Sequence, residues 1–145
     1  QFVVDQGLAR SSDETRQALD IPDPTPVISR RGQNGDDPAC AEALSMFLSL
    51  AGSECGNLAL RTLPRGGLFL TGSVALALRK ALRGEEFRAA FLDKDRMSET
   101  LATIPIAVVT EPYLGLLGAR HAAIGQAAIR SRRPTSWQVT AQGGR

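Results

Sequence analysis

Cysteine, histidine and aromatic residues are all scarce in this 145-residue sequence, which holds two Cys, one His, five Phe, one Tyr and one Trp. A zinc site therefore has no ligand set, because such sites draw on several Cys and His donors and no CxxC occurs. Cys40 and Cys55 stand in what reads as one helix, where they lie roughly 22 Å apart at 1.5 Å per residue, beyond the reach of a disulfide. His121 has no Cys or second histidine near it in sequence, so no triad can be argued from it. No apolar run approaches the ~20 residues that span a bilayer, and no basic, apolar and small-residue succession marks a signal peptide. The chain thus reads as cytoplasmic, with no membrane partner. An excess of one charge is missing too: 17 Lys+Arg against 15 Asp+Glu leave +2, which excludes a basic stripe that coats phosphates and argues against a nucleic-acid partner. Repeats and low-complexity runs are absent. What remains is ordinary globular composition, 43% hydrophobic and 22% charged, enough for one core. The first residue is Gln1 rather than Met, so the chain is expected to be a piece of a longer polypeptide.

Residues 1–35 read as a short helix starting at Ser11-Ser12-Asp13-Glu14, followed by an exposed loop in which Pro22, Pro24, Pro26, Gly32, Asn34 and Gly35 break regular structure. Asp36-Asp37-Pro38 is a strong helix start, since an Asp carboxylate accepts from free first-turn N–H groups and Pro at the first position has no N–H to leave unpaired. Cys40, Leu44, Phe47, Ala51, Cys55 and Leu58 then recur at helical spacing, which predicts a helix from about Asp37 to Leu60, the longest element of the chain. Ser45, Ser49, Gly52 and Gly56 form a second stripe of small residues. Interior glycines weaken a helix, so this stripe admits either a neighbouring helix backbone or a ligand near Gly56-Asn57.

Leu68-Phe69-Leu70 has the pattern of a buried strand, and Thr71-Gly72-Ser73 leads from it into a helix expected over Val74–Leu82. In an α/β sheet such a turn lies at the carboxyl end of a strand, where ligands bind. Gly72 would let a flat ring or a phosphate approach the backbone, and Ser73 is placed to cap the helix; a simple tight turn needs the same residues. Glu85–Leu92 reads as a helix with Phe87, Ala90 and Phe91 on one face, and Asp93–Arg96 as a solvated turn. A helical turn over Met97–Ala102 follows, then a second buried strand over Ile104–Val109, with Pro105 near its start where a missing donor is tolerable. Gly115–Ile129 is predicted helical, with Gly118, Ala122 and Gly125 as a further small face that favours close packing. Residues 130–145, with Arg130, Arg132, Arg133 and Trp137, read as a basic, disordered tail.

Four segments in order resemble the C-terminal part of bacterial glucokinases: Cys55-Gly56-Asn57-Leu58-Ala59-Leu60, Gly66 through Ser73, Phe87 through Arg96, and Ile104-Pro105-Ile106 through Gly115-Leu116-Leu117-Gly118-Ala119. The resemblance covers roughly residues 36–129. It implies an α/β fold, part of the C-terminal lobe of an actin-like ATPase (ribonuclease H-like), mostly helical with about two strands here. It also implies a parent enzyme that transfers the ATP γ-phosphate to glucose with Mg²⁺. In that family the strand ending in two small residues is the adenosine motif, which maps onto Leu68-Phe69-Leu70-Thr71-Gly72-Ser73 and implies nucleotide contacts at Thr71, Gly72 and Ser73, with Gly56 and Asn57 as neighbours. Relatives usually have Gly-Gly where this chain has Gly72-Ser73, and again where it has Cys55-Gly56. Tyr113-Leu114 likewise replace the usual Asn or Pro before Gly115.

The family's phosphate loops, catalytic Asp and sugar-binding Glu and His motifs do not occur in this sequence, so no catalytic or metal-binding residue is assigned. The expected partners are accordingly glucose and ATP in the parent, a missing N-terminal lobe, and a homodimer as the candidate assembly. The reading from a different class is a non-catalytic remnant that acts as a binding or interaction module.

Overall fold

The structure, a computed structural model, describes residues 2–131, with side chains as far as Gln126. The expected tail lies outside the described residues from position 132 onward, Trp137 included. The chain forms two compact bodies, the first ending at Thr110 and the second beginning at Glu111.

The first body opens with α1 (Phe2–Asp5) and α2 (Asp13–Ala18), whose Ser12 cap accepts from the Thr15 N–H as its sequence suggests. The segment expected to be a loop is instead α3 (Thr25–Asn34). Its prolines do not break it, because Pro24 is the cap and Pro26 sits in the first turn, where amide hydrogens have no helical partner. Gly35, left-handed at φ 75°, ends the helix. Gly32, inside it, is no breaker either: a Cβ there would lie 2.6 Å from the Cys40 carbonyl oxygen, so its missing side chain lets the next helix approach.

That helix, α4 (Pro38–Thr62), has 25 residues and the expected Asp37 cap, whose carboxylate accepts from the Cys40 N–H at 3.0 Å. Its buried face differs from the predicted stripe. Cys40, Leu44, Leu48, Gly52, Gly56 and Ala59 face inward, whereas Phe47 and Leu58 are 44% and 40% exposed. The helix is apolar on more than one side, so periodicity alone left the choice of face open, and the packing partner decided it. Both cysteines are free thiols; burial pushes each thiol up from its ordinary range, with Asp37 adding to the effect at Cys40 and Glu54 at Cys55.

Next come β1 (Leu68–Leu70), α5 (Ser73–Ala77), α6 (Glu85–Leu92), α7 (Ser98–Ala102) and β2 (Ile106–Val108). The helix expected over Val74–Leu82 is broken: α5 ends at Ala77 and a 3₁₀ turn takes over at Ala81–Arg83. The expected second strand is shorter than Ile104–Val109. The two strands pair in parallel, Leu68 with Ile106, Phe69 with Ala107 and Leu70 with Val108. Neither is buried on both sides as expected. Leu68, Leu70, Ile106 and Val108 are half-buried, while Phe69 is 62% exposed and Ala107 is exposed beside it.

Two apolar clusters hold this body together. Leu44, Leu48, Leu78 and Phe87 form one, with Leu70 and Ile106 against it; Ala59, Phe91 and Leu101 form the other, with Leu68 and Ile104 against it. Both run through the seam between α4 and α6, so this helix pair carries the strand pair on one side. The second body contains α8 (Leu114–Ser131), which begins one residue before the predicted Gly115 and ends two residues beyond Ile129.

Candidate functional site

At the carboxyl end of β1 the chain turns into α5 through Thr71, Gly72 and Ser73, all exposed. Gly72 has φ 102° and ψ 172°, a conformation essentially reserved for glycine. A Cβ at this position would meet nothing within 4 Å. Backbone geometry, not crowding, thus demands glycine here, and the space over it is open to a flat group. The Gly72 carbonyl accepts from the Leu76 N–H at 3.0 Å, so the turn is tied to α5. Ser73 is the first residue of α5, and Gly72 occupies the cap position without a side chain. The expected Ser73 cap is therefore not formed.

Gly56 and Asn57 part company. Gly56 is buried, and a Cβ on it would lie 2.6 Å from the Phe91 carbonyl oxygen and 3.0 Å from Cε of Lys94. Asn57 is exposed and donates to Glu54 at 3.3 Å on the same helix. Gly52 likewise faces the Phe87 carbonyl. Of the two readings of the small-residue stripe, the neighbouring backbone is the one present: α6 lies along it, with the Ser45 hydroxyl donating to Glu86 and Lys94 donating to Ser53 at 2.9 Å. Lys94 thereby leaves the solvated turn expected for Asp93–Arg96.

Sequence reasoning missed the polar seal at the start of α4. Asp37 is fully buried and accepts from the Ser12 N–H at 2.9 Å and the Ser11 hydroxyl at 3.2 Å, besides Cys40. Burial opposes its ionisation, but the N–H groups of Ser12 and Cys40 and the hydroxyls of Thr15 and Ser11 outweigh burial and hold the carboxyl far below the usual carboxylate range. Arg31 adds bonds to Thr15 at 2.9 Å and Glu14 at 2.8 Å. The helix-start motif signalled the local cap; nothing local signalled that a segment 25 residues upstream shares it. A concavity of about 740 Å³ lies beside this seal, lined by Phe2, Leu19, Ile28, Ala39 and Cys40 among others, and none of the sequence-assigned site residues lines it. Among the described residues, no cluster of His, Cys, Asp and Glu is placed to hold a metal ion, and no helix is long and apolar enough to cross a membrane.

A strand, a glycine turn and a helix at the end of a parallel pair, beside a long helix with buried glycines, agree with the four segments noted in the sequence. A family model described as glucokinase matches residues 5–126. The chain belongs to the glucokinase family. It is 36% identical over 110 residues to the glucokinase of Synechocystis sp., covering 76% of this chain and 30% of that protein. With the glucokinase of Chromobacterium violaceum it shares 39% identity over 118 residues, 81% of this chain and 34% of that one. The crystal structure of a glucokinase from an Antarctic psychrotroph superposes with a TM-score of 0.58 at 30% identity, over 68% of this chain and 30% of its own. This glucokinase-family chain thus spans about a third of the length of the relatives it matches.

Proposed function

We propose that this chain is a C-terminal segment of a glucokinase whose whole catalyses ATP-dependent phosphorylation of glucose to glucose 6-phosphate, and that it supplies part of the adenine side of the ATP cleft. On this reading residues 36–129 belong to the C-terminal lobe of an actin-like ATPase fold, and the segment before Asp36 leads into it. The observation that carries the site is the open Gly72 at the carboxyl end of a parallel strand. Thr71, Gly72 and Ser73 would line the adenine, with Gly56 acting through the α4–α6 packing beneath and Asn57 at its exposed end. Phosphoryl transfer needs a group that orients the attacking hydroxyl and donors that hold the triphosphate and Mg²⁺. Those groups belong to the rest of the enzyme, so the 145-residue chain by itself is expected to give no ATP- and glucose-dependent turnover in a coupled assay.

The site is tested in a full-length chimera in which this chain replaces the matched third of the Chromobacterium violaceum glucokinase. Gly72→Val should weaken ATP binding at least tenfold by calorimetric titration. The positive φ at Gly72 means that any side chain also strains the turn, by about 1–3 kcal/mol. Gly35→Val, strained at φ 75° with open space around it, is the control and should leave ATP affinity unchanged. Equal affinities in the folded Gly72→Val and parent chimeras would remove Gly72 from the site.

A further inference from the structure

The helix expected over Val74–Leu82 breaks after Ala77, and the break leaves a carbonyl that the backbone does not serve. Ahead of it the chain closes as a helix should, with the Gly72 carbonyl accepting from Leu76 N–H at 3.0 Å and the Val74 carbonyl from Leu78 N–H at 2.9 Å. Among the described residues no backbone N–H donates to the Ala77 carbonyl; its donor is the side-chain amide of Gln33 on α3, at 3.4 Å. The same Nε2 donates to the Ser29 carbonyl at 3.1 Å, so each amide hydrogen has its own acceptor. Both partners are carbonyl oxygens, which accept only, and this fixes the amide with its nitrogen toward them. Among the described residues this is the one hydrogen bond between α3 and α5. Packing leaves the spacing of the two helices loose, because a space of about 150 Å³ lies among Thr25, Ile28, Phe47, Val74 and Leu78, and a gap forfeits contact attraction. A wider concavity of about 670 Å³ runs past Ser29, Gln33, Ala77 and Lys80. The helix that carries Gln33 is itself held firmly: Gly32 lets it sit against the Cys40 carbonyl, and Arg31 donates to Thr15 and Glu14.

We propose that Gln33 is a positioning residue for the nucleotide turn: its amide ties the far end of α5 to α3 and thereby sets the pose of Thr71, Gly72 and Ser73. The proposal rests on reading that turn as the adenine site. With five residues and a first backbone bond that starts at Gly72, α5 has little length in which to absorb a displacement of Ala77, so the turn moves with it. Leu78, 3% exposed, holds the same end down in the cluster of Leu44, Leu48 and Phe87. Apolar burial is non-directional and lets α5 tilt about that anchor, whereas a hydrogen bond to a fixed post sets the tilt. Gln33 touches no substrate in this role and acts through α5.

Two substitutions test it. Gln33→Met keeps the length and helix preference of the side chain and removes the donor; Gln33→Lys restores a donor as an ammonium, read in high salt that screens the added charge from Arg30 and Lys80. In the 145-residue chain, hydrogen exchange of the Leu76 and Leu78 amides that close α5 should quicken about threefold in Gln33→Met and return toward the parent rate in Gln33→Lys, with the amides of Phe87–Leu92 unchanged in both. Unchanged exchange in Gln33→Met overturns the tie. In the Chromobacterium chimera Gln33→Met should raise the KM for ATP about three- to tenfold while kcat and the KM for glucose stay within about twofold, and Gln33→Lys should bring the ATP KM back. A merely structural role would lower the folded fraction, and with it kcat, without moving KM. A raised KM that Gln33→Lys does not restore overturns the proposal, since side-chain shape rather than the donor then sets the turn. An ATP KM unmoved by Gln33→Met in a chimera where Gly72→Val weakens ATP binding overturns the positioning role and leaves the adenine site standing. Faster exchange with an ATP affinity that neither Gln33→Met nor Gly72→Val changes removes the adenine reading, and the positioning role with it.

Discussion

Gly52 and Gly56 on α4 and Gly118 and Gly125 on α8 occupy the same kind of position, inside a helix and on a stripe of small residues, yet their surroundings are opposite. The first pair is buried beneath the Phe87 and Phe91 carbonyls of α6; within its own body the second pair has nothing within 4 Å of an added Cβ. The starts of the two helices differ in the same direction. Asp37 is sealed by bonds from Ser11, Ser12 and Cys40, while the chain ahead of α8 has Glu111 accepting from Tyr113 N–H at an exposed site. Small residues in a helix state that a backbone can come close. Whether one does depends on polypeptide that the stripe itself does not contain.

The comparison can be broken or sharpened by substitution, starting where the largest effect is expected. Phe91→Ala removes a side chain that is 2% exposed and joins Ala59 and Leu101, and should cost about 3–5 kcal/mol in urea unfolding. A loss below about 1 kcal/mol would mean that the α4–α6 seam does not hold the first body. Gly52→Ala places a methyl against the Phe87 carbonyl, a backbone atom that cannot swing away, and is expected to cost about 1–3 kcal/mol. Thermal melting at or above that of the parent would show that the helices are not in close approach.

At the sealed end of α4, Asp37→Asn should cost about 1–3 kcal/mol near neutral pH, because one amide oxygen replaces a carboxylate that serves several donors. The sign of the pH effect follows from the lowered carboxyl. Its contribution is fully present above the unfolded-state value of about 3.9 and is lost as pH falls from there toward the much lower folded-state value. Urea midpoints of the parent should thus fall with acid from about pH 5 downward, and those of Asp37→Asn should fall less. Parallel curves would show that another carboxylate governs acid stability.

The smallest effect has the opposite sign. Gly118→Ala in the 145-residue chain should raise helicity and stabilise α8 by up to about 1 kcal/mol, since the new methyl meets only open space. A loss of stability instead would show that the added methyl meets a neighbour.

Much of the fold was legible in local chemistry. Asp37-Pro38 announced the start of α4, and the run Ser11-Ser12-Asp13-Glu14 announced α2, because caps answer donors only a few residues away. Glu85–Leu92 was likewise legible, its Phe87 and Phe91 lying on one face as both sides of a helix turn require. The prolines at the start of α3 mislead because their effect depends on position: at the cap and in a first turn they cost no hydrogen bond, while inside a helix they would. The candidate site was legible as a glycine turn after a short strand, but the positive φ of Gly72 is a property of the folded backbone, and the parting of Gly56 from Asn57 required knowing where α6 lies.

By itself the sequence determined the starts of α2 and α4, most of the helices, the two strand segments and the family, since each depends on residues within a few positions of one another or on their order along the chain. Tertiary structure alone decided which face of α4 is buried, that Asp37 closes over Ser11 and Ser12, that β1 and β2 pair in parallel with one face bare, and that the glycine stripe of α4 is filled by α6. Those outcomes depend on which distant atoms arrive at a given side chain. A helix apolar on several faces offers nearly equal burial to each of them until a particular neighbour occupies one.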